Sequence, residues 1–154
     1  MNLTPAELSR MQRLTAETRE RVWRVIEDMA ALGFDVFVGS TARTAEETAK
    51  AVATGHSSKD QKHSWHELGR AADLRRRKAD GGINFDQGPE SEPFWRALYE
   101  AATKHGVRSL AYRPDGSKLI LNGSKGPIWD SGHVEYRHPY STLAEAWDAE
   151  VSVD

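Results

Sequence analysis

The stretch Ser64-Trp65-His66-Glu67-Leu68-Gly69-Arg70-Ala71-Ala72-Asp73-Leu74 lies where the chain changes from helical to strand-like sequence. Gly69 and the small residues that follow it predict a turn that leads into a short strand. A histidine and a carboxylate stand seven positions apart across this turn. A turn of this length can aim both side chains at one point, so His66 and Asp73 are candidate metal ligands.

A second polar cluster, Trp129-Asp130-Ser131-Gly132-His133-Val134-Glu135, follows some sixty residues later. On a predicted strand from 133 to 136, His133 and Glu135 share one face because side chains alternate. Catalytic zinc takes three protein ligands and leaves the fourth position to water, so His133 is the candidate third ligand. From spacing alone, a zinc site and a chance placement of ordinary histidines both fit the sequence.

Such a site would carry a net charge near +1, because zinc contributes +2, the aspartate −1 and the two imidazoles nothing. That charge lowers the pKa of a nearby water toward neutrality. Asp130, three residues before His133, could face this water and take its proton without binding the metal. Glu135 either fixes the tautomer of a histidine ring through its other nitrogen or lies at the rim of the site.

The rest of the chain predicts an α+β fold, with helices packed on a small, mostly antiparallel sheet and the zinc site on that sheet. We expect one domain over 1–154, with an N-terminal helical segment 4–32 and a core 34–151. The helical segment is one helix or two with a break near 15–18. Further predicted elements are a strand 34–38, helices 44–54, 91–106 and 141–151, loops 56–63 and 122–127, and strands 109–113 and 118–121.

Composition limits the possible functions. The 154 residues are 38% hydrophobic and 29% charged, as in globular proteins, and the absence of cysteine excludes a thiolate metal site. A net charge of −2 predicts no general attraction to nucleic acid or stable membrane association. The basic run 75–78 is more typical of a solvated strand end than of a phosphate site. The N-terminus lacks basic and apolar signal regions, which predicts synthesis in the cytoplasm without a signal peptide. We also expect a monomer.

Two motifs carry a resemblance to a known family. Ser64-x-His66-x-x-Gly69-x-Ala71-x-Asp73 resembles the SxHxxGxAxD motif of the zinc peptidases that include the D-alanyl-D-alanine carboxypeptidases and dipeptidases. Asp130-x-x-His133, followed by Val134-Glu135, is similar to the second half of that signature. The Asp-x-Gly-His-Val-Glu form and the short chain resemble the phage endolysins of the family. Those enzymes cut the L-alanyl-D-glutamate bond of peptidoglycan stem peptides.

The resemblance implies a role for each matching residue. His66, Asp73 and His133 would bind Zn²⁺, Asp130 would be the general base and acid, and Ser64 would brace the site by hydrogen bonding. Arg43 would bind a substrate carboxylate or stabilise the oxyanion. On position alone, Arg43 would instead be predicted to make a surface ion pair with Glu46 or Glu47.

The function implied is that of a zinc-dependent endopeptidase whose substrate is the peptidoglycan stem peptide. It would be made in the host cytoplasm and reach the cell wall at lysis through a holin-type pore. A D-Ala-D-Ala carboxypeptidase of the same family is one alternative. A non-catalytic cell-wall-binding module is the other, although such a module would be expected to have lost a ligand or the base.

Overall fold

The computed structural model describes residues 1–54 and 64–151, and the predicted loop 56–63 lies outside them. The helices are α1 (Pro5–Gln12), α2 (Ala16–Ala31), α3 (Ala45–Ala53), α4 (Glu92–Lys104) and α5 (Leu143–Glu150). The strands are β1 (Val36–Val38), β2 (Ala71–Arg77), β3 (Ile83–Asn84), β4 (Arg108–Ser109), β5 (Leu121–Gly123), β6 (Gly126–Ile128) and β7 (His133–Glu135). Short 3₁₀ turns cover Trp65–Leu68 and Pro89–Ser91.

Strand β2 is the centre of the main sheet. Its first edge pairs with β1, and its second edge pairs with β7 at the start of β2 and with β3 at its end. Strand β4 then pairs with the free edge of β7. Each of these pairings is antiparallel, and helices pack on the sheet, so the predicted α+β class is confirmed.

The N-terminal helical segment forms two helices, which is one of the two alternatives predicted from the sequence. The break falls at Arg13–Thr15, where the turn before β2 packs against the chain. The Thr15 amide donates to the Gly69 carbonyl at 2.9 Å. Gly69 has φ +67°, and a Cβ there would lie 3.1 Å from the Arg13 carbonyl oxygen. A glycine is therefore required both by the backbone conformation and by the close approach of the helical connection.

The two N-terminal helices share a core with the sheet and α4. Its largest buried side chains include Met11, Ile26, Met29, Leu74, Phe94, Trp95 and Leu98. A smaller cluster packs α5 against the turn before β2 and contains Trp65, Leu68, Ala71 and Ala146. The site-bearing turn is thus held between the two hydrophobic clusters.

The structure differs from the sequence prediction over 122–127, which is a hairpin and not a loop. Strands β5 and β6 pair Asn122 with Pro127 and Gly123 with Gly126, leaving a two-residue loop. Glycine at both ends of so short a loop hides the strand signal, because glycine and proline are poor strand formers. The strands predicted at 109–113 and 118–121 are reduced to the end of β4, one isolated bridge between Tyr112 and Lys118, and the first residue of β5.

Among the described residues, the helices are all too short or too polar to cross a membrane.

Candidate metal centre

The pairing of β2 with β7 brings two of the predicted ligands together. Asp73 and His133 are direct partners in this antiparallel register, so their side chains leave the same face of the sheet. The backbone of Asp73 is held from the other edge, because its amide donates to Ser40 at 2.9 Å and its carbonyl accepts from Gly39 at 2.8 Å. The carboxylate is therefore carried by backbone fixed on both sides.

The third predicted ligand comes from the 3₁₀ turn before β2. Ser64 begins this turn, and its Oγ accepts a hydrogen bond from the His66 amide at 3.1 Å. Gly69 ends the turn in the left-handed conformation. His66 is 1% exposed, so its ring lies inside the protein next to Asp73.

The distances from the two histidines to the aspartate match those of a tetrahedral metal site. His66 Nε2 lies 3.3 Å and His133 Nδ1 lies 3.5 Å from the same oxygen, Asp73 Oδ1. Ligands about 2.0–2.1 Å from zinc at tetrahedral angles are roughly 3.3 Å apart. His66 Nε2 and Asp73 Oδ1 are also buried with no hydrogen-bond partner. Two unpartnered buried atoms at this spacing fit a divalent cation such as zinc.

The other nitrogen of each ring is fixed by a hydrogen bond. His66 Nδ1 lies 2.5 Å from the Thr41 carbonyl oxygen, to which it donates. His133 Nε2 lies 2.8 Å from Glu135 Oε1, and the second oxygen of Glu135 accepts from Arg137 Nε. These contacts leave His66 Nε2 and His133 Nδ1 to face the metal position.

The buried charges of the site are strongly coupled. Burial opposes ionisation of Asp73, but His66 and His133 beside it hold the pKa of the carboxyl well below its usual range. Burial lowers the pKa of His133, but the neighbouring carboxylates of Asp73 and Glu135 outweigh it and raise that pKa to about 10. A divalent cation would therefore bind in competition with a proton on His133.

Asp130 and Arg43 lie beside this cluster. Burial raises the pKa of Asp130; His133, whose Nδ1 is 3.9 Å from Asp130 Oδ2, opposes the rise, and Asp73 adds to it. Arg43 Nη2 is 3.4 Å from Asp73 Oδ2, whereas the two histidines lie near the other carboxylate oxygen, Oδ1. The site thus combines a buried carboxyl of raised pKa with a cation on its wall.

A cleft of about 800 Å³ opens at this position. Arg43, Asp73 and Asp130 line it next to the metal position. The rest of its wall is mixed, with apolar side chains that include Phe37, Ile83, Phe85, Ile128 and Trp129 and polar ones that include Glu47, Lys50 and Arg75. The dimensions of the cleft suit a bound peptide that runs past the candidate metal-binding residues.

Three supporting residues were missed by the sequence analysis. The Thr41 carbonyl is a backbone group, which residue type does not reveal. Arg137 continues the alternation of His133 and Glu135 by one more step, so the period of the strand could have indicated it. Gln87 Nε2 donates to the Trp129 carbonyl at 2.6 Å and to Ser131 Oγ at 2.8 Å, and so holds the loop that carries Asp130. Nothing near Gln87 in sequence indicates this contact.

No family model and no curated protein sequence matches the chain. Several solved structures do. The L-Ala D-Glu endopeptidase ChiX of Serratia marcescens superposes with a TM-score of 0.58 at 15% identity, over 95% of this chain and 93% of that one. The LD-carboxypeptidase LdcB gives 0.52 at 16% identity, over 90% and 71% of the two chains. The D,D-pentapeptidase VanY, solved with Zn(II), gives 0.51 at 18% identity, over 80% and 72%. At these identities the likeness shows a shared fold.

Proposed function

We propose that this protein is a zinc-dependent peptidase that hydrolyses the L-Ala–D-Glu bond of peptidoglycan stem peptides. The observation that carries the proposal is the pair of 3.3 and 3.5 Å distances from the two histidines to one oxygen of Asp73, beside Asp130 in an open cleft. The two sequence motifs and the fold shared with ChiX, an L-Ala D-Glu endopeptidase of nearly the same length, support the choice of bond.

His66, Asp73 and His133 would hold the zinc. When bound, zinc supplies the Lewis acidity that polarises a carbonyl and makes water nucleophilic near neutral pH. Glu135 keeps the proton on His133 Nε2, so that Nδ1 is free to bind the cation. Ser64 anchors the backbone of His66 and thereby orients its ring.

Asp130 would move the proton of the reaction. Its carboxylate takes a proton from the attacking water as the oxygen–carbon bond forms, and returns that proton to the nitrogen as the carbon–nitrogen bond breaks. Burial raises the pKa of Asp130 in the metal-free protein, which favours the first of these steps because a more basic carboxylate removes the proton more readily. Arg43, held 3.4 Å from Asp73, would stabilise the negative charge that develops on the carbonyl oxygen.

A D-Ala-D-Ala carboxypeptidase is the second candidate. It is favoured by the fold shared with VanY, a D,D-pentapeptidase that was also solved with D-alanine-D-alanine. The two activities release different products from one stem peptide, so product masses separate them. The role as a phage endolysin stays a prediction, since it is supported by the sequence resemblance alone.

The test combines zinc content with hydrolysis of purified peptidoglycan and stem peptides. We expect the unmodified protein to hold about one zinc and to release new amino termini. Asp130→Asn should keep the zinc and lose activity by at least roughly 100-fold, the usual contribution of a general base. His66→Ala should lose both.

Each of the other outcomes would lead to a different conclusion. A protein that holds zinc but cuts nothing would be a binding module. A protein without zinc affinity would contradict the assignment of the three ligands.

A further inference from the structure

The basic run Arg75-Arg76-Arg77-Lys78 is divided by the alternation of strand β2. Arg75 lines the cleft on the same face as Asp73. Arg76 lies on the other face, with its guanidinium carbon 5.3 Å from the ring centre of Phe34. Arg77 is internal and forms an ion pair with Glu7 at 2.6 Å. The three arginines therefore have separate surroundings, and one of them belongs to the wall of the cleft.

Arg75 is a cation held in place without a counter-ion. Its guanidinium carbon lies 4.9 Å from the ring centre of Phe85, which stands at the cleft and is 65% exposed. Within 1–54 and 64–151, carboxylates form no ion pair with Arg75, whereas Arg43 has at least one such partner and Arg77 has two. A guanidinium stacked on an aromatic ring keeps its hydrogen-bonding edges free for a planar anion.

A carboxylate elsewhere on the cleft wall does not neutralise this cation. Glu47 also lines the cleft, but its Oε1 accepts from the amide and hydroxyl of Thr44 at the start of α3, each at 3.3 Å. The Glu47 carboxylate is thus already hydrogen-bonded in the cap of α3.

We propose that Arg75 binds the side-chain carboxylate of the third stem-peptide residue, which follows the D-glutamate at the scissile bond. Arg75 would thereby select stem peptides by the charge of that residue. This rests on the proposed function of the cleft. Asp73 and Arg75 are two residues apart on one strand, which separates their Cα atoms by about 7 Å. An extended peptide covers that distance in about two residues.

The chemistry of the substrate fits this position. When the bond after L-alanine is cut, the alanine side of the bond offers only a methyl group, and the carboxylates lie on the D-glutamate side. A diamino acid after D-glutamate either carries a side-chain carboxylate beside its terminal amine, as diaminopimelate does, or ends in a protonated amine alone, as lysine does. Arg75 would attract the carboxylate of the first and repel the ammonium of the second.

The test measures binding separately from cleavage. The probes are two L-Ala-γ-D-Glu-diaminopimelate peptides that differ in one group, the side-chain carboxyl of the third residue, free in one and amidated in the other. Both are titrated into zinc-loaded Asp130→Asn protein by calorimetry. We expect the free acid to bind about 10-fold more tightly, the size of one partly exposed charge-assisted contact. Arg75→Gln in the same background should reduce this ratio to about 1.

Arg76→Gln is the matched control, because it removes the same charge from the other face of β2 and should keep the 10-fold ratio. Equal binding of both peptides, or an equal loss in the two variants, would overturn the assignment of Arg75. A third peptide, amidated at the D-glutamate α-carboxyl, should remain sensitive to Arg75→Gln. If it loses that sensitivity, Arg75 contacts the adjacent residue and the proposed position is wrong.

Hydrolysis of the same peptides by protein with Asp130 intact distinguishes this inference from the proposed function. Cleavage without discrimination between the free acid and its amide removes only the role of Arg75. Discrimination in binding without cleavage keeps that role and removes the peptidase.

Discussion

Gly132 should be indispensable to the metal centre, although it carries no side chain. It lies directly before His133, and its carbonyl accepts from the Leu74 amide at 2.8 Å. A Cβ added there would enter the carbonyl oxygen of Leu74, with the Leu74 carbonyl carbon at 3.3 Å and its nitrogen at 3.5 Å. These are backbone atoms of the central strand, so a rotamer change cannot relieve the overlap.

The size of the effect follows from the distance that the strands must move. Carbon and oxygen approach to about 3.3 Å, so Gly132→Ala has to separate the start of β7 from β2 by on the order of 1 Å. Overpacking of this kind costs about 2 kcal/mol, or a decrease in Tm of roughly 4–8 °C for a chain of this length. A metal site tolerates deviations of only about 0.2 Å in its ligand–metal distances. We therefore expect zinc affinity to fall by at least about 10-fold.

The assay pairs thermal unfolding of the metal-free protein with competition for zinc against a chromophoric chelator. Gly82→Ala is the control, because its nearest neighbour is the tip of the Asp80 side chain, which can swing aside. It should leave both quantities unchanged. Wild-type Tm and zinc affinity in Gly132→Ala would refute the link between strand register and ligand spacing.

Three further predictions concern charge. Since the pKa of His133 is about 10, zinc binding at pH 7 should release about one proton, measured by calorimetry in buffers of different ionisation enthalpy; no release would contradict the coupling. His133 also contributes stability to the metal-free protein that is complete below about pH 6.5 and is lost as pH rises through 10, so Tm should fall over this range. Glu7→Gln removes the closer of the two carboxylates that pair with Arg77, leaving Asp35 at 3.4 Å, and should cost about 2 kcal/mol in urea unfolding, with Glu17→Gln, an exposed ion-pair residue, as the control. A loss below 1 kcal/mol would contradict that role of Glu7.

Sequence reasoning predicted much of the fold because local signals and tertiary structure agree in it. The capping box of Thr4 and Glu7 begins α1, and a second one at Thr44 and Glu47 begins α3. The turn at Gly69 leads into β2 as expected. In each case the residues that decide the element lie within a few positions of one another.

Features that depend on distant contacts were not predictable in this way. The β5–β6 hairpin is built from residues of low strand propensity, and β3 is two residues long and exists through its pairing with β2. The basic run reads as one solvated feature, yet Arg77 is internal because Glu7, seventy positions earlier, provides its partner. One-dimensional patterns contain no information on which partner a charged residue will meet.

The candidate metal centre stands between these two cases. The residue types and spacings of His66, Asp73 and His133 are local, and they were enough to nominate the ligands. Their geometry is not local, because it depends on the register that sets Asp73 against His133 and on the close approach of Gly132 to Leu74. A register shifted by one residue would put His133 on the opposite face of the sheet from Asp73. Such a site therefore depends on the pairing of β2 with β7, and substitutions that disturb this pairing should weaken metal binding even when each ligand is retained.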